Sequence, residues 1–327
     1  MKRTASVVLV LLSFSRLFGQ DSASLVWPQP PERARIKHLQ TIASMESFQP
    51  QKGFFAKVFG FLFGKEHQAG WLVQPVGIAV SRDNVIFVCD PGARGVHILN
   101  IGKKEYDFLG GTKLGLFHSP VGCAIDTEGL LYVTDSDVGD IVVLNNDYDP
   151  VLHITSHLQR PTGIQVIGGR IYVTDTGRHT VVVFDQKGNF LFEFGHRGAG
   201  VGEFNYPTQL QVRDSIAVLD ALNYRIQKFD LSGKFGSTFG DLGNVAGRFA
   251  APKSIAFDSD GNYYVDDALM DNIQIFDKSG QLLLIVGRRG NRDGEFMSPS
   301  GMFIDTQDKI YLVDVLNKRL QIFQYMK

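Results

Sequence analysis

The sequence predicts an all-β protein, a six-bladed β-propeller, and two repeated features support this prediction. A Pro opens a short apolar run six times, at intervals of 41 to 47 residues, and a second apolar run ending in Asp follows each time. The six pairs are Pro75 and Asp90, Pro120 and Asp135, Pro161 and Asp175, Pro207 and Asp220, Pro252 and Asp267, and Pro299 and Asp314. Repeats of this length, made of short strands, are typical of blades that pack side by side around a channel.

Each repeat has room for four antiparallel strands. A third apolar run begins six residues after each Asp, as at Val181 (VVVFD) and Ile273 (IQIFD). A fourth run closes most units, as in NFLFEFG, which ends at Gly195. The runs are rich in β-branched and aromatic residues and are bounded by Gly, Asp, Asn and Pro, which favours strands over helices. The propeller is therefore expected to span residues 71–327.

The last repeat lacks a strand that an upstream segment could supply. The sixth unit stops at Lys327, directly after its third strand. Residues 35–44 (RIKHLQTIAS) are the only alternating apolar stretch upstream of the first blade, so we expect them to close blade six and cover two unpaired sheet edges. Residues 20–34, which contain the Pro-rich stretch from Trp27 to Glu32, are expected to form an extended lead-in outside the ladder.

The first residues are typical of a secretory signal. Lys2 and Arg3 precede an apolar run of about ten residues, half of what a membrane-spanning helix needs. We expect residues 1–19 to be cleaved near Gly19 and the protein to be exported to the periplasm, cell surface or extracellular space. Cleavage would leave 30 basic against 34 acidic residues, a balance that argues against a nucleic-acid partner.

A Phe-rich segment precedes the first blade. Residues 45–70 are predicted to be an insert with one short apolar helix, GFFAKVFGFLFG, at 53–64. Its aromatic side chains include Phe54, Phe55, Phe59 and Phe63. Such a helix is costly to leave in water, so either it packs within the fold or it contacts a protein partner or a membrane surface peripherally.

The repeat resembles the NHL repeat, over the chain from Pro75 to the C-terminus. The residues that carry the resemblance are Asn223, Arg225, Ile226, Gln227 and Phe229, together with Gly202, Glu203, Phe204 and Pro207. The resemblance implies a six-bladed, NHL/TolB-like propeller, and many exported bacterial members have no assigned activity. Some six-bladed enzymes similar to NHL proteins, the peptidyl-hydroxyglycine amidating lyases, bind zinc through histidines around the channel.

The loops before each Pro and after each Asp are expected to share one face, because strand one runs away from the Pro and strand two returns to the Asp. Rigid scaffolds commonly bind partners through such loops. The repeated Asp residues themselves are expected mainly to shape turns. The predicted binding face contains Asp90, Arg94, His118, Asp137, Arg178, His179, Tyr206, Tyr224, Arg225, Asp271 and Arg319.

Neither a catalytic set nor a metal site is evident in the sequence. Eight His are present, but none falls in an innermost strand, so no metal or cofactor is expected. Two Cys, Cys89 and Cys123, lie within apolar runs and could be buried thiols or a disulfide.

The sequence thus favours an exported, non-catalytic binding or assembly module that uses this loop face. A protein is the expected partner, a small ligand is the second choice, and nucleic acid is not expected. The alternative is a metal-dependent lyase or hydrolase with its site at the channel mouth, in which His118 and His179 would be the residues to test.

Overall fold

The chain folds into six sheets arranged as the blades of a β-propeller. The structure is a computed structural model that describes residues 25–46, 48–50 and 71–327. The signal segment 1–19 and the Phe-rich segment with Phe54, Phe55, Phe59 and Phe63 lie outside the described residues. No helix in the described part of the chain is long and apolar enough to cross a membrane.

Five blades take their four strands from consecutive sequence, and the strands follow one another in order across each sheet. Blade 1 contains Gly77–Val80, Val85–Asp90, Gly95–Asn100 and Glu105–Leu109. Blade 2 contains Pro120–Ile125, Leu131–Asp135, Asp140–Leu144 and Pro150–Ile154, and blade 3 contains Pro161–Ile167, Arg170–Asp175, Thr180–Asp185 and Phe190–Phe194. Blade 4 contains Pro207–Val212, Ile216–Asp220, Arg225–Phe229 and Phe235–Phe239, and blade 5 contains Pro252–Phe257, Tyr263–Asp267, Asn272–Phe276 and Leu282–Val286. The C-terminal repeat supplies three strands to blade 6, namely Pro299–Ile304, Lys309–Asp314 and Arg319–Tyr325. A short hairpin, Gly111–Thr112 and Gly115–Leu116, and a 3-10 turn at Ala221–Asn223 lie in loops.

The hydrophobic core lies between blades. Tyr132 of blade 2 and Phe184 of blade 3, for example, are buried in one shared cluster. Near the channel the inner strands approach so closely that a Cβ on Gly122 would lie 2.0 Å from the carbonyl oxygen of Thr162. Gly is therefore required at position 122, because a side chain there would collide with the backbone of the next blade. Each blade buries its apolar face against its neighbour, which is why the repeats form a ring.

Blade 6 contains strands from both ends of the described chain. Strand Ile36–Ile42 pairs antiparallel with Arg319–Tyr325, with Ile36 opposite Tyr325. The side chains of Ile36 and Ile42 are buried. This strand occupies the outer position that the sequence analysis expects for residues 35–44.

Two short strands lie where other structure was expected. Val26–Trp27 pairs with Ile36–Ile42, so the prediction that Trp27 lies outside the ladder was wrong. That strand ends before Pro28, which has no N–H to donate.

The strand Gln49–Pro50 lies within the predicted helical insert 45–70 and pairs in parallel with Glu105–Leu109. This part of the insert is therefore an edge strand instead of a helix. Pro is tolerated at such an edge.

Candidate binding face

The repeated Asp residues join the two sets of loops on one face. Asp135 is buried, and its carboxylate accepts the backbone N–H groups of His118 at 2.7 Å and Ser119 at 2.9 Å. Asp175 binds the N–H groups of Gln159 and Arg160 in the same way. The repeated Asp is therefore a structural residue of the turns. We call the surface formed by the two sets of loops the Pro/Asp face. Its loops before the Pro residues are 73–74, 110–119, 155–160, 195–206, 240–251 and 287–298. Its loops after the Asp residues are 91–94, 136–139, 176–179, 221–224, 268–271 and 315–318.

Two arginines of the predicted binding face hold loops together instead of facing solvent. Arg319 is 6% exposed and its Nε lies 2.7 Å from a carboxylate oxygen of Asp314. Its guanidinium also donates to the carbonyl oxygens of Asn291, Arg292 and Glu295. Arg225 repeats this arrangement in blade 4, where it pairs with Asp220 and donates to the carbonyls of the preceding loop.

Other predicted residues are also engaged within the fold. Asp90 and Asp271 are buried, and the latter accepts the N–H of Ser298 at 2.7 Å. His179 Nδ1 accepts the N–H of Tyr206 at 3.1 Å. The structure also places the five remaining residues. Arg94, His118 and Asp137 are exposed, Arg178 pairs with Glu193 at 2.5 Å, and Tyr224 packs against the core between blades 4 and 5.

A cavity of about 370 Å³ opens at the channel mouth on this face. Three side chains from successive blades line one side of it: Arg160 before blade 3, Tyr206 before blade 4 and Lys253 in blade 5. The charged residues of the lining are Arg160 and Lys253, both cations. Polar uncharged side chains supply much of the remaining wall, namely Gln74, Ser119, Ser136, Thr162, Thr208, Gln209, Ser254 and Ser300.

A buried carboxyl group lies behind this wall. Asp266 accepts the backbone N–H of Ser254 at 2.6 Å and its hydroxyl at 2.5 Å. Burial raises the pKa of Asp266 to about 7, although the Ser254 hydrogen bonds oppose the shift. Thr134 and Thr174 occupy the corresponding positions in blades 2 and 3, where each accepts a backbone N–H from its inner strand.

Exposed aliphatic side chains are concentrated in the loops of the Pro/Asp face. Leu222, Leu269 and Leu316 lie two residues after their Asp and are 52%, 68% and 63% exposed. The Pro/Asp face holds ten of the seventeen large hydrophobic side chains that are exposed in the described part of the chain. The ten are Val73, Leu114, Leu116, Val138, Val201, Leu222, Leu242, Val245, Leu269 and Leu316. We call these ten side chains the aliphatic rim.

The sequence analysis did not select Arg160, Lys253 or the leucines of the rim. The sequence signal that could have identified them is a difference from the residues at the equivalent positions of other repeats. Lys253 directly follows Pro252, where the other blades have Val, Thr or Ser. Blades 4 to 6 have Leu two residues after the Asp, where blades 1 to 3 have Gly or Asp.

Among the described residues, His118 and His179 of the Pro/Asp face do not form a metal-binding cluster with neighbouring acids or cysteines. Across residues 25–46, 48–50 and 71–327, no three His, Cys, Asp or Glu side chains are grouped so that they could hold a metal ion. The His118 side chain is exposed, whereas His179 already uses one ring nitrogen to accept a hydrogen bond from Tyr206.

A larger cavity, of about 660 Å³, lies between the lead-in and blade 5. Its lining contains both acids and bases, and several of these are already bonded within the fold. Asp260 accepts the Tyr325 hydroxyl at 2.8 Å, and Arg33 donates to the carbonyl of Lys327. Its charges therefore do not favour one class of ligand.

Known proteins share this architecture. A family model described as a 6-bladed beta-propeller matches residues 155–240 and 250–326. The peptidylglycine alpha-amidating monooxygenase of Rattus norvegicus is 26% identical over 193 residues, which cover 52% of this chain and 18% of the relative. The human E3 ubiquitin-protein ligase NHLRC1 is 28% identical over 102 residues, which cover 30% of this chain and 24% of the relative. The matches thus span less than a quarter of the length of either relative.

Solved structures give the same fold. An auxiliary nutrient binding protein from Bacteroides thetaiotaomicron aligns with a TM-score of 0.63 at 15% identity, over 80% of this chain and 71% of that one. An identity this low establishes the shared fold alone. The same fold therefore occurs in a protein described as binding nutrients, and part of an enzyme's sequence is similar to this chain.

Proposed function

Because the chain is a six-bladed β-propeller whose repeats resemble the NHL repeat, we propose that it is an exported, non-catalytic binding or assembly module whose Pro/Asp face contacts a protein partner. The observation that carries the proposal is the aliphatic rim. Large apolar side chains grouped on one face of a soluble domain are typical of protein interaction surfaces. The loops that present them are held by buried Asp carboxylates, so the surface is formed before the partner arrives.

The other surfaces have fewer such side chains. The exposed aliphatic residues Val151, Leu191 and Leu283 lie on outer strands of three different blades. The Pro/Asp face instead combines an apolar rim with a polar centre at the channel mouth. A protein partner could contact both, since interfaces commonly join apolar anchors to a few polar contacts.

A capture experiment with matched variants tests this proposal. The purified protein would be immobilised and exposed to an envelope extract of the source cells. The variant Leu222→Ser, Leu269→Ser, Leu316→Ser should lose the proteins that the parent retains. The control variant Val151→Ser, Leu191→Ser, Leu283→Ser removes the same number of exposed aliphatic side chains elsewhere and should retain them. Equal retention by the two variants, both shown to be folded, would refute the proposed face.

Export is a separate part of the proposal, and the N-terminal residues support it. Residues 1–19 combine two basic residues at their start, Lys2 and Arg3, with an apolar run and a small residue at Gly19. N-terminal sequencing of protein recovered from the cell envelope or medium should begin near Gln20. Recovery of uncleaved protein from the cytoplasm alone would contradict export.

A metal-dependent lyase or hydrolase is the second candidate function. The similarity to an amidating monooxygenase favours it, together with the presence of His118 and His179 on the Pro/Asp face. Elemental analysis of purified protein separates the two functions. Stoichiometric zinc that is lost in His118→Ala and His179→Ala would favour the enzyme, whereas metal content unaffected by these changes would count against this site.

A further inference from the structure

We propose that the channel mouth of the Pro/Asp face is an oxyanion subsite, which binds a carboxylate or phosphate group between Arg160 and Lys253. This proposal rests on the proposed function, because it assigns the chemistry of the group that enters the centre of the same face. Three features of the mouth carry it: the charges of its lining, the freedom of those charges to bind, and the polar wall around them.

The first feature is the sign of the charges. Arg160 and Lys253 reach one cavity from blades 3 and 5, and Tyr206 lies between them from blade 4. No carboxylate lines this cavity. Two cations that share a partly enclosed space repel each other, and the attraction of both to an anion placed between them offsets that repulsion. A guanidinium and an ammonium are the groups that most commonly bind carboxylates and phosphates.

The second feature is that both cationic groups are free. Among the described residues, neither Arg160 nor Lys253 has a carboxylate within ion-pairing distance. The backbone of Arg160 is nevertheless fixed, since its N–H donates to Asp175 at 3.0 Å and its carbonyl accepts the N–H of Thr176 at 3.0 Å. The side chain is thus anchored at its base and available at its tip.

The third feature is the wall of the cavity. Gln209 occupies a position where four of the other five blades have Gly, and its side chain lies against Gly163. Its amide lines the mouth together with the side chains of Thr208 and Ser300. A volume of about 370 Å³ is within the range of small-ligand sites, so one oxyanion and its immediate substituent would fit.

The acid behind the wall does not oppose anion binding strongly. Asp266 is buried behind Ser254 and does not line the cavity. Burial raises its pKa to about 7, so near neutral pH it carries less than a full negative charge. The charged groups that line the mouth itself are therefore the two cations.

Thermal unfolding in the presence of simple anions tests the proposal. The full-length protein would be melted in citrate, inorganic phosphate and chloride at equal ionic strength. Because citrate and phosphate stabilise folded proteins in general, the readout is the difference between variants. A bound oxyanion should raise the midpoint of the parent by roughly 2–4 °C more than that of the double variant Arg160→Gln, Lys253→Gln at about ten times the dissociation constant.

Arg94→Gln is the matched control, since Arg94 is an exposed cation of the same face that does not line the cavity. It should respond to the anions as the parent does. A citrate-specific difference assigns the group as a carboxylate, and a phosphate-specific one assigns it as a phosphate. Equal responses of the parent and the double variant to both anions, with calorimetry detecting no binding of either to the parent, would overturn the subsite.

The anion experiment and the capture experiment test the two proposals separately. If the leucine variant loses captured protein but the anions have no site-dependent effect, the binding face stands and the oxyanion subsite falls. If the anion effect depends on Arg160 and Lys253 while both leucine variants retain the same proteins, the subsite stands and the proposed protein contact falls.

Discussion

Ile42, near the start of the described chain, lies directly opposite Leu320 of the last strand in blade 6. Both side chains are buried in the cluster that joins blades 6 and 1. The two ends of the described chain therefore meet in one sheet, next to the place where the ring closes. This relationship makes the stability of the whole ring depend on a segment upstream of the repeats.

Deleting residues 1–44 should destabilise the whole ring. The deletion removes strand Ile36–Ile42 with its two buried isoleucines, and burial of each such side chain contributes roughly 1.5–3 kcal/mol. We expect a loss of at least about 3 kcal/mol in the free energy of unfolding, measured by denaturant titration. A chain that begins at residue 25 is the control. The closure would be disproved if both truncated chains unfolded at the same denaturant concentration.

Asp266 should make stability decrease between about pH 4 and pH 7. Burial raises the folded-state pKa of Asp266 to about 7, above the value of about 3.9 expected in the unfolded chain. The folded protein therefore holds a proton that the unfolded chain releases, and ionisation above pH 7 costs on the order of 4 kcal/mol. Asp266→Asn keeps an acceptor for the Ser254 N–H without the charge.

We therefore expect Asp266→Asn to melt at a higher temperature than the parent at pH 8 and to differ little from it at pH 5. Thermal unfolding at several pH values measures this, with the exposed Asp137→Asn as the control. A variant that is less stable than the parent at pH 8 would show that the ionised carboxylate is required.

Asp314 should be essential for stability because it is the buried counter-charge of Arg319. Asp314→Asn leaves the guanidinium of Arg319 buried without a negative partner, which costs about 3–5 kcal/mol. Denaturant titration should show this loss, whereas Asp137→Asn should change stability by less than about 0.5 kcal/mol. A loss below 1 kcal/mol for Asp314→Asn would mean that the loop holds Arg319 without the carboxylate.

Cys89 and Cys123 should remain unreactive thiols in the folded protein. Both are buried and unpaired, in one cluster between blades 1 and 2, and burial raises the pKa of the Cys89 thiol. A thiol reagent such as Ellman's reagent should label neither residue in the folded protein and both after denaturation. Labelling of the folded protein would contradict their burial, and no labelling after denaturation would reveal a disulfide.

Much of the fold could be predicted from the sequence because each repeat carries its own signals. Pro120 and Asp135 flank a pair of strands in the structure as they do in the sequence, and a similar spacing of 13 to 15 residues separates the Pro and the Asp of every repeat. The short strands Val26–Trp27 and Gln49–Pro50 were not predicted, because each has two residues and no periodicity. They form only because a neighbouring sheet offers an edge.

The candidate site was harder to predict, because a charged residue in a loop has the same sequence signal whether it binds a partner or holds the loop. Arg319 and Arg94 both belong to the predicted binding face, yet Arg319 is buried against Asp314 and Arg94 is exposed. Only the structure separates these roles. Comparing the repeats position by position would have pointed to Lys253, whose counterparts are Val, Thr or Ser, and to Leu269, whose counterparts in blades 1 to 3 are Gly or Asp.

Site-specific photo-crosslinking tests the central claim, contact through the Pro/Asp face, most directly. A photoreactive residue would replace Leu269 on the aliphatic rim or, as the matched control, Leu283 on the outer strand of the same blade; the two side chains are 68% and 53% exposed. After irradiation in envelope extract, we predict a discrete crosslinked product at position 269 and none at 283. Crosslinks at 283 but not at 269 would contradict the account.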